Sequence, residues 1–68
     1  MTWITHPGYN ETHQLVDEQQ RVVGSANGSI FQKENAWAAY DERSRPPVWL
    51  GRYTTLDAAK AAVERAML

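Results

Sequence analysis

The sequence predicts an α+β domain in which an antiparallel meander sheet of three to five strands packs on one C-terminal helix. Two observations support this fold class. Residues 48–53 alternate with the period of two that is typical of a strand, and residues 55–67 space leucine, alanine and valine at helical intervals. The strand leads directly into the helix, so the β-type segments before it are expected to supply the rest of the sheet.

The N-terminal residues 1–11 contain a turn-forming cluster, Pro7-Gly8-Tyr9-Asn10, which predicts an irregular arm with a short strand around Trp3 and Ile4. Residues 12–68 are predicted to form a single domain of sheet plus helix. Its first two strands, 12–17 and 21–26, are joined by the polar residues 18–20 and therefore predict a hairpin.

The Asn27-Gly28 pair allows two interpretations. Both residues tolerate the positive φ of a type I′ turn, which makes the pair a strong hairpin signal. The pair is also compatible with a bulge inside one long bent strand over residues 22–33. Strands at 29–33 and 36–41 follow, and the polar loop 42–47 ends in Pro46-Pro47, which cannot occupy a central ladder.

The C-terminal helix has clear boundary signals. Thr54 or Thr55 can accept hydrogen bonds from the first-turn amides, and Thr54 with Asp57 has the spacing of a capping box. Arg65 lies in the last turn, where the helix dipole favours positive charge. The inward stripe consists mostly of small residues: Leu56, Ala59, Ala62, Val63, Ala66 and Met67. The sheet must therefore supply the bulk of the core, and the expected contributors are Trp37, Leu50 and Tyr53.

Composition narrows the class of protein. A chain of 68 residues is one small domain of marginal stability, so dimerisation or docking on a partner is a natural way to bury more surface. The absence of cysteine, of a signal-peptide pattern and of a long apolar run predicts a cytoplasmic protein with no membrane segment. The net charge of −1 disfavours phosphate-backbone binding.

Alternation in the last two strands predicts which side chains face the helix and which occupy the opposite, open face of the sheet. The helix-facing set is Trp37, Ala39, Val48 and Leu50, and the open-face set is Ala38, Tyr40, Trp49 and Gly51. Antiparallel pairing is expected to bring Tyr40 near Trp49, with Ile30 or Phe31 beside them. Alternatively, the hairpin at 12–26 or the N-terminal arm folds over this face and converts it into a second core.

An exposed aromatic cluster is a usual anchor for a partner protein. The predicted partner-binding residues are accordingly Trp49, Tyr40, Phe31 and Arg52. Lys33, Arg43, Arg45 and Arg52 could also form a small anion patch, although Glu34, Asp41 and Glu42 are interleaved with them and favour a solvated loop.

At Trp37-Ala38-Ala39 and from Val48 to Ala59, the sequence resembles the apetala/ethylene-response-factor DNA-binding domain. The same Leu-Gly-aromatic-x-Thr junction before an alanine-rich helix is similar to that of many short phage and prophage proteins. The resemblance implies a three-stranded antiparallel sheet with the helix on one face and the target on the other, and it places Trp49 against the DNA backbone. Tyr40 and Pro47 stand where that family has an acidic DNA-contacting residue and an arginine. The candidate nucleic-acid contacts are Arg43, Arg45, Arg52 and Trp49.

No chemistry-bearing pattern accompanies this architecture. His6 and His13, with Glu11 or Asp17, match no dedicated metal spacing, and the chain shows no nucleophile with a base and no phosphate loop. We therefore expect no metal, no cofactor, no small-molecule substrate and no enzyme activity. The sequence favours a non-enzymatic binding module, a phage-type accessory or inhibitor protein that docks on a protein partner or on itself. A DNA-binding module is the alternative.

Overall fold

The structure is a computed structural model that describes residues 1–7, 10–29 and 37–68. Within these residues the chain forms a five-stranded antiparallel sheet packed against one helix. The elements are β1 (Thr2–His6), β2 (Asn10–Val16), β3 (Val22–Ser29), β4 (Trp37–Asp41), β5 (Val48–Tyr53) and α1 (Leu56–Ala66). The strand order β1-β2-β3-β4-β5 is a meander, and the predicted α+β fold class is confirmed.

The hairpin between β2 and β3 forms at the predicted polar connection. The Asp17 carboxylate organises the turn, because its Oδ1 accepts from the backbone amides of Gln19 and Arg21, both at 2.9 Å. Gln20 takes a φ of 65°, a left-handed conformation that is uncommon for a residue other than glycine. Across this hairpin the register shifts between Leu15 and Val16, so that Val23 has no partner of its own in β2.

Asn27-Gly28 lies inside one strand, as the second interpretation required, but it forms neither a turn nor a bulge, because both residues belong to the regularly paired part of β3. Asn27 lies opposite Thr12 and Gly28 opposite Glu11, and the register between them is regular. The glycine serves packing instead of a turn: a Cβ on Gly28 would lie 2.6 Å from the Trp37 ring. The missing side chain therefore makes room for the indole. The strand predicted at 29–33 lies outside the described residues, apart from Ser29 at the end of β3.

A bulge interrupts the pairing of β4 with β5. Ala39 lies opposite Gly51, whereas Tyr40 lies opposite Trp49, so Leu50 has no partner of its own. Gly51 adopts a φ of 133°, which L side chains rarely allow. Because cross-strand partners share a face, the bulge moves Gly51 to the helix side with buried Ala39, which corrects its predicted open-face position.

The helix begins after Thr55, whose Oγ1 accepts from the Ala58 amide at 3.1 Å, and it ends at Ala66 with Met67 as its C-cap. With Thr55 as the N-cap, the box between Thr54 and Asp57 does not form, and Asp57 contributes only negative charge in the first turn. The helix packs on β3, β4 and β5. Buried core residues are Leu15, Val23, Ala26, Ala39, Ala59, Ala62 and Val63, with Trp3, Trp37, Leu50, Tyr53, Leu56 and Met67 packed around them.

The N-terminal segment is more regular than predicted, since Thr2–His6 forms a complete edge strand paired with β2 from Thr2 opposite Val16 to His6 opposite Thr12. Trp3 lies on the helix side of this strand. Its indole Nε1 donates to Glu64 Oε1 at 3.0 Å, and the Lys60 Nζ lies 5.2 Å from its ring centroid. This contact ties β1 to a helix that otherwise covers the opposite half of the sheet.

Candidate functional site

The open face is the side of the sheet turned away from α1, and its most prominent side chain is Trp49. Register places Trp49 directly opposite Tyr40 in β4, as predicted. Directly opposed residues have Cβ atoms about 5 Å apart, so the two aromatic side chains are neighbours. Trp49 is 60% exposed, whereas Tyr40 is half-buried. A large ring is therefore presented to solvent from a paired position next to the β5 bulge.

The row of side chains that includes Tyr40 and Trp49 crosses the whole sheet. Its members, from β1 to β5, are Ile4, Gln14, Ser25, Tyr40 and Trp49. Ile4 is 38% exposed, so the open face carries an apolar residue at each end of a polar centre. Sequence reasoning missed Ile4 as a site residue, although the alternation of Thr2, Ile4 and His6 was the signal that could have placed it there.

The predicted alternative of a covered face does not hold within the described residues. The hairpin and the N-terminal strand extend the sheet edgewise as β1, β2 and β3, instead of folding over the open face as a second layer. Val48 lies on the predicted helix side, because it is opposite Asp41, and it is nevertheless 51% exposed.

A chain of hydrogen bonds organises the polar centre of the open face. Asn27 Nδ2 donates to Ser25 Oγ at 3.4 Å, and the Ser25 hydroxyl donates to Glu42 Oε1 at 2.8 Å. Ser25 is buried, and Asn27 Oδ1 is buried with no hydrogen-bond partner in the described part of the chain. These two hydrogen bonds fix the orientation of the Ser25 side chain between the two apolar ends of the face.

The three predicted arginines occupy different surroundings. Arg52 is exposed on the open face opposite Ala38, one cross-strand row away from Trp49. Arg43 is held in a clamp: its Nε and Nη2 donate to the two carboxylate oxygens of Asp41 at 3.0 and 2.7 Å, and Nη2 also donates to the Ala66 carbonyl at 2.9 Å. Arg45 donates to the Glu42 carbonyl at 3.3 Å. Lys33 and Phe31 lie outside the described residues.

Arg43 and Arg45 line a cleft of about 490 Å³ at the end of the sheet, together with Arg21, a residue absent from the predicted anion patch. The charges in this cleft are largely compensated. Hydrogen bonds from Arg43 lower the pKa of Asp41, and the Arg21 backbone amide is the main cause of the lowered pKa of Asp17. Asp41 in turn raises the pKa of Arg43. These ion pairs fasten the loops at the end of the sheet.

The two histidines face opposite sides of the sheet. His13 is buried on the helix side, where Nδ1 hydrogen-bonds with Thr5 Oγ1 at 3.0 Å and Nε2 with Glu11 Oε2 at 3.2 Å. Its ring meets the Trp37 ring edge to face with centroids 5.6 Å apart. On the open face, His6 Nε2 hydrogen-bonds with Gln14 Oε1 at 2.9 Å. Across the described ranges no three histidine or acidic side chains are grouped as metal ligands.

Comparison with protein-family models, with curated proteins and with solved structures gives no match to this chain. Its function must therefore be argued from its own geometry. Among the described residues, no helix has the length and the apolar character to cross a lipid bilayer.

Proposed function

We propose that this protein is a non-enzymatic binding module that docks on a partner protein through the open face of its sheet, with Trp49 as the anchor. The observation that carries the proposal is the 60% exposure of Trp49 at a position fixed by strand pairing with Tyr40. Tryptophan is among the residues most enriched in the energetic centres of protein interfaces. An indole on a backbone that is held by strand pairing also loses little conformational freedom when a partner covers it.

The surroundings of Trp49 support a protein partner. Tyr40 lies on one side of it and the exposed Arg52 is one cross-strand row away, which combines the three residue types that dominate interface centres. The fitting partner surface has an apolar pocket for the indole, with an acceptor group at its rim for the guanidinium. Arg52 would add a charge-assisted hydrogen bond to that contact.

The β5–α1 junction, the absence of cysteine and the near-neutral charge support an accessory or inhibitor role of the phage type. In such a role, a small domain acts by occupying the surface of a larger protein. The junction of β5 and α1 is similar to that of short phage and prophage proteins, as noted from the sequence. The lack of cysteine supports a reducing, cytoplasmic compartment. The near-neutral charge supports a protein target over a nucleic acid.

The test is capture from nuclease-treated host lysate on the immobilised wild-type protein and on two variants, Trp49→Ala and Val48→Ala. Val48 is the matched control, because it is similarly exposed on the same strand but on its other side. We expect one protein species, identified by mass spectrometry, that is retained by wild type and Val48→Ala and lost with Trp49→Ala. A photo-crosslinking amino acid at position 49 should then link covalently to that species.

Equal capture by Trp49→Ala, with unchanged circular dichroism, would contradict the proposal. The alternative of DNA binding has a distinct result: retention on DNA in a gel shift that weakens steeply with salt and is lost in Arg45→Ala and Arg52→Ala. That outcome would replace the protein partner with a nucleic acid.

A further inference from the structure

The two edges of the sheet are built differently. At the β5 edge, Pro46-Pro47 precedes the strand, a bulge with Gly51 at a φ of 133° bends it, and Arg52 adds a charge. Prolines, bulges and charges on an edge strand are the features that prevent another strand from pairing with it. The β5 edge is therefore protected against edge-to-edge association.

Within β1 itself none of these features occurs, and the nearest proline is Pro7, directly after the strand. Its sequence, Thr2-Trp3-Ile4-Thr5-His6, contains β-branched and aromatic residues with no acidic residue, lysine, arginine or proline. Its pairing with β2 is regular throughout, so no bulge bends it. All its residues except Trp3 are exposed. Alternate residues of such a strand direct their amide and carbonyl groups outward, and these groups are available to another strand.

We propose that β1 pairs antiparallel with β1 of a second copy of this chain, joining two sheets into one of ten strands. The two-fold axis passes beside Ile4, so Ile4 faces its own counterpart and Thr2 faces His6 of the second copy. A two-fold interface must be self-complementary. This strand satisfies that requirement, because its pairing about Ile4 brings no two like charges together and places apolar against apolar at the centre.

The surface beside β1 also suits a second copy. Ile4 and Met1 are 38% and 67% exposed, and they line a cavity of about 190 Å³ together with Thr2, Val16, Asp17, Glu18 and Gln20. The strand of a second copy would cover part of the exposed apolar surface of Ile4 and Met1. This interface is at the edge remote from Trp49, and it is independent of the docking role proposed for the open face.

The proposed β1–β1 interface is small, and its size limits the affinity of the dimer. Stable interfaces bury about 1,200 Å² or more in total, and a pairing of five-residue strands falls below that size. We therefore expect a reversible dimer whose population rises with concentration. Dimerisation would place two Trp49 residues on one particle, which increases the apparent affinity for a repetitive target.

The experiment measures mass by light scattering and sedimentation from micromolar to millimolar concentration, on wild type and on Ile4→Lys, Ile4→Glu and Trp49→Lys. Wild type and Trp49→Lys should rise from the 7.7 kDa of one chain toward twice that mass. Ile4→Lys and Ile4→Glu should each weaken dimerisation at least about tenfold, because like charges meet at the axis. Mixing the two variants should restore a dimer, since opposite charges then meet.

Wild type that remains at 7.7 kDa at millimolar concentration would overturn the proposal. A dimer that survives both Ile4 variants, or one that is lost in Trp49→Lys instead, would also overturn it. Amide hydrogen exchange of wild type provides a check that needs no variant: amides of β1 should exchange more slowly as concentration rises, while those of β5 do not change. Uniform exchange in β1 at all concentrations would refute the pairing.

Discussion

Trp49 and Tyr53 lie four residues apart in β5 and yet face opposite sides of the sheet. Tyr53 is opposite Trp37 and packs at the core, whereas Trp49 is opposite Tyr40 on the open face. In an uninterrupted strand, residues separated by an even number share a face. The bulge at Leu50 and Gly51 supplies the extra residue that separates them. One local irregularity thus assigns one aromatic residue to stability and the other to the surface.

The first prediction concerns this bulge. Gly51→Ala should destabilise the protein by about 1–3 kcal/mol, because a φ of 133° is strained for alanine and its Cβ would lie 3.3 Å from the Tyr53 hydroxyl. Arg52→Ala, at the next position, should change the unfolding free energy by less than about 0.5 kcal/mol. Urea denaturation of both variants checks this. Equal stability of Gly51→Ala and wild type would show that the bulge is not required.

The second prediction compares two tryptophans. Trp49→Ala should lower the unfolding free energy by less than about 1 kcal/mol, since most of its side chain is already in water. Trp37→Ala should cost about 2–3 kcal/mol, because its ring lies against Gly28 and His13. Denaturation curves measure both values. A Trp49→Ala protein that is the less stable of the two would indicate a structural role for Trp49 and would remove the basis of the docking face.

The third prediction tests the contact of the helix with the sheet. A Cβ on Gly24 would collide with Val63 Cγ1, so Gly24→Ala should destabilise by about 1–3 kcal/mol through overpacking. Val63→Ala alone should cost about 2 kcal/mol by leaving a cavity. The double variant should be more stable than the sum of the two effects predicts, because the smaller side chain makes room for the new methyl group. Strict additivity in a double-mutant cycle would contradict the close approach.

The fourth prediction concerns acid stability. Hydrogen bonds from Arg43 lower the pKa of Asp41 in the folded protein, so the ionised carboxylate stabilises the fold. The contribution is fully present above the ordinary aspartate pKa of about 3.9 and is lost as pH falls through the lower folded value. Asp41→Asn should be less stable at neutral pH and should lose less stability between about pH 4 and pH 2 than wild type. Ser44→Ala, in the same loop, serves as the control and should follow the wild-type profile.

Features determined by neighbouring residues could be predicted from the sequence. The hairpin at Asp17 and the helix after Thr55 depend on turn and capping groups that lie within four positions of each other. The pairing of Tyr40 with Trp49 followed from short loops and alternation, and the structure places the two residues opposite each other. Local chemistry was sufficient for these elements.

Features determined by a distant partner could not be predicted. Gly28 belongs to a strand because the Trp37 ring lies against it, and a dipeptide pattern does not contain that information. The place of Ile4 on the open face depended on the full pairing of β1 with β2, whereas the sequence predicted only a short strand inside an irregular arm. The hydrogen bonds of Arg43 could not be predicted either, because one of its acceptors is the Ala66 carbonyl at the end of α1, which is distant in sequence.

The meander order has a kinetic consequence. Each strand hydrogen-bonds to the strand that comes before or after it in the chain, so each pairing closes only a short loop and incurs a small loss of chain entropy. Proteins whose contacts are local in sequence fold faster than those with distant pairings. The bond between Trp3 and Glu64 spans 61 positions and is expected to form after the folding transition state. Truncating Trp3 should therefore accelerate unfolding and leave the refolding rate nearly unchanged.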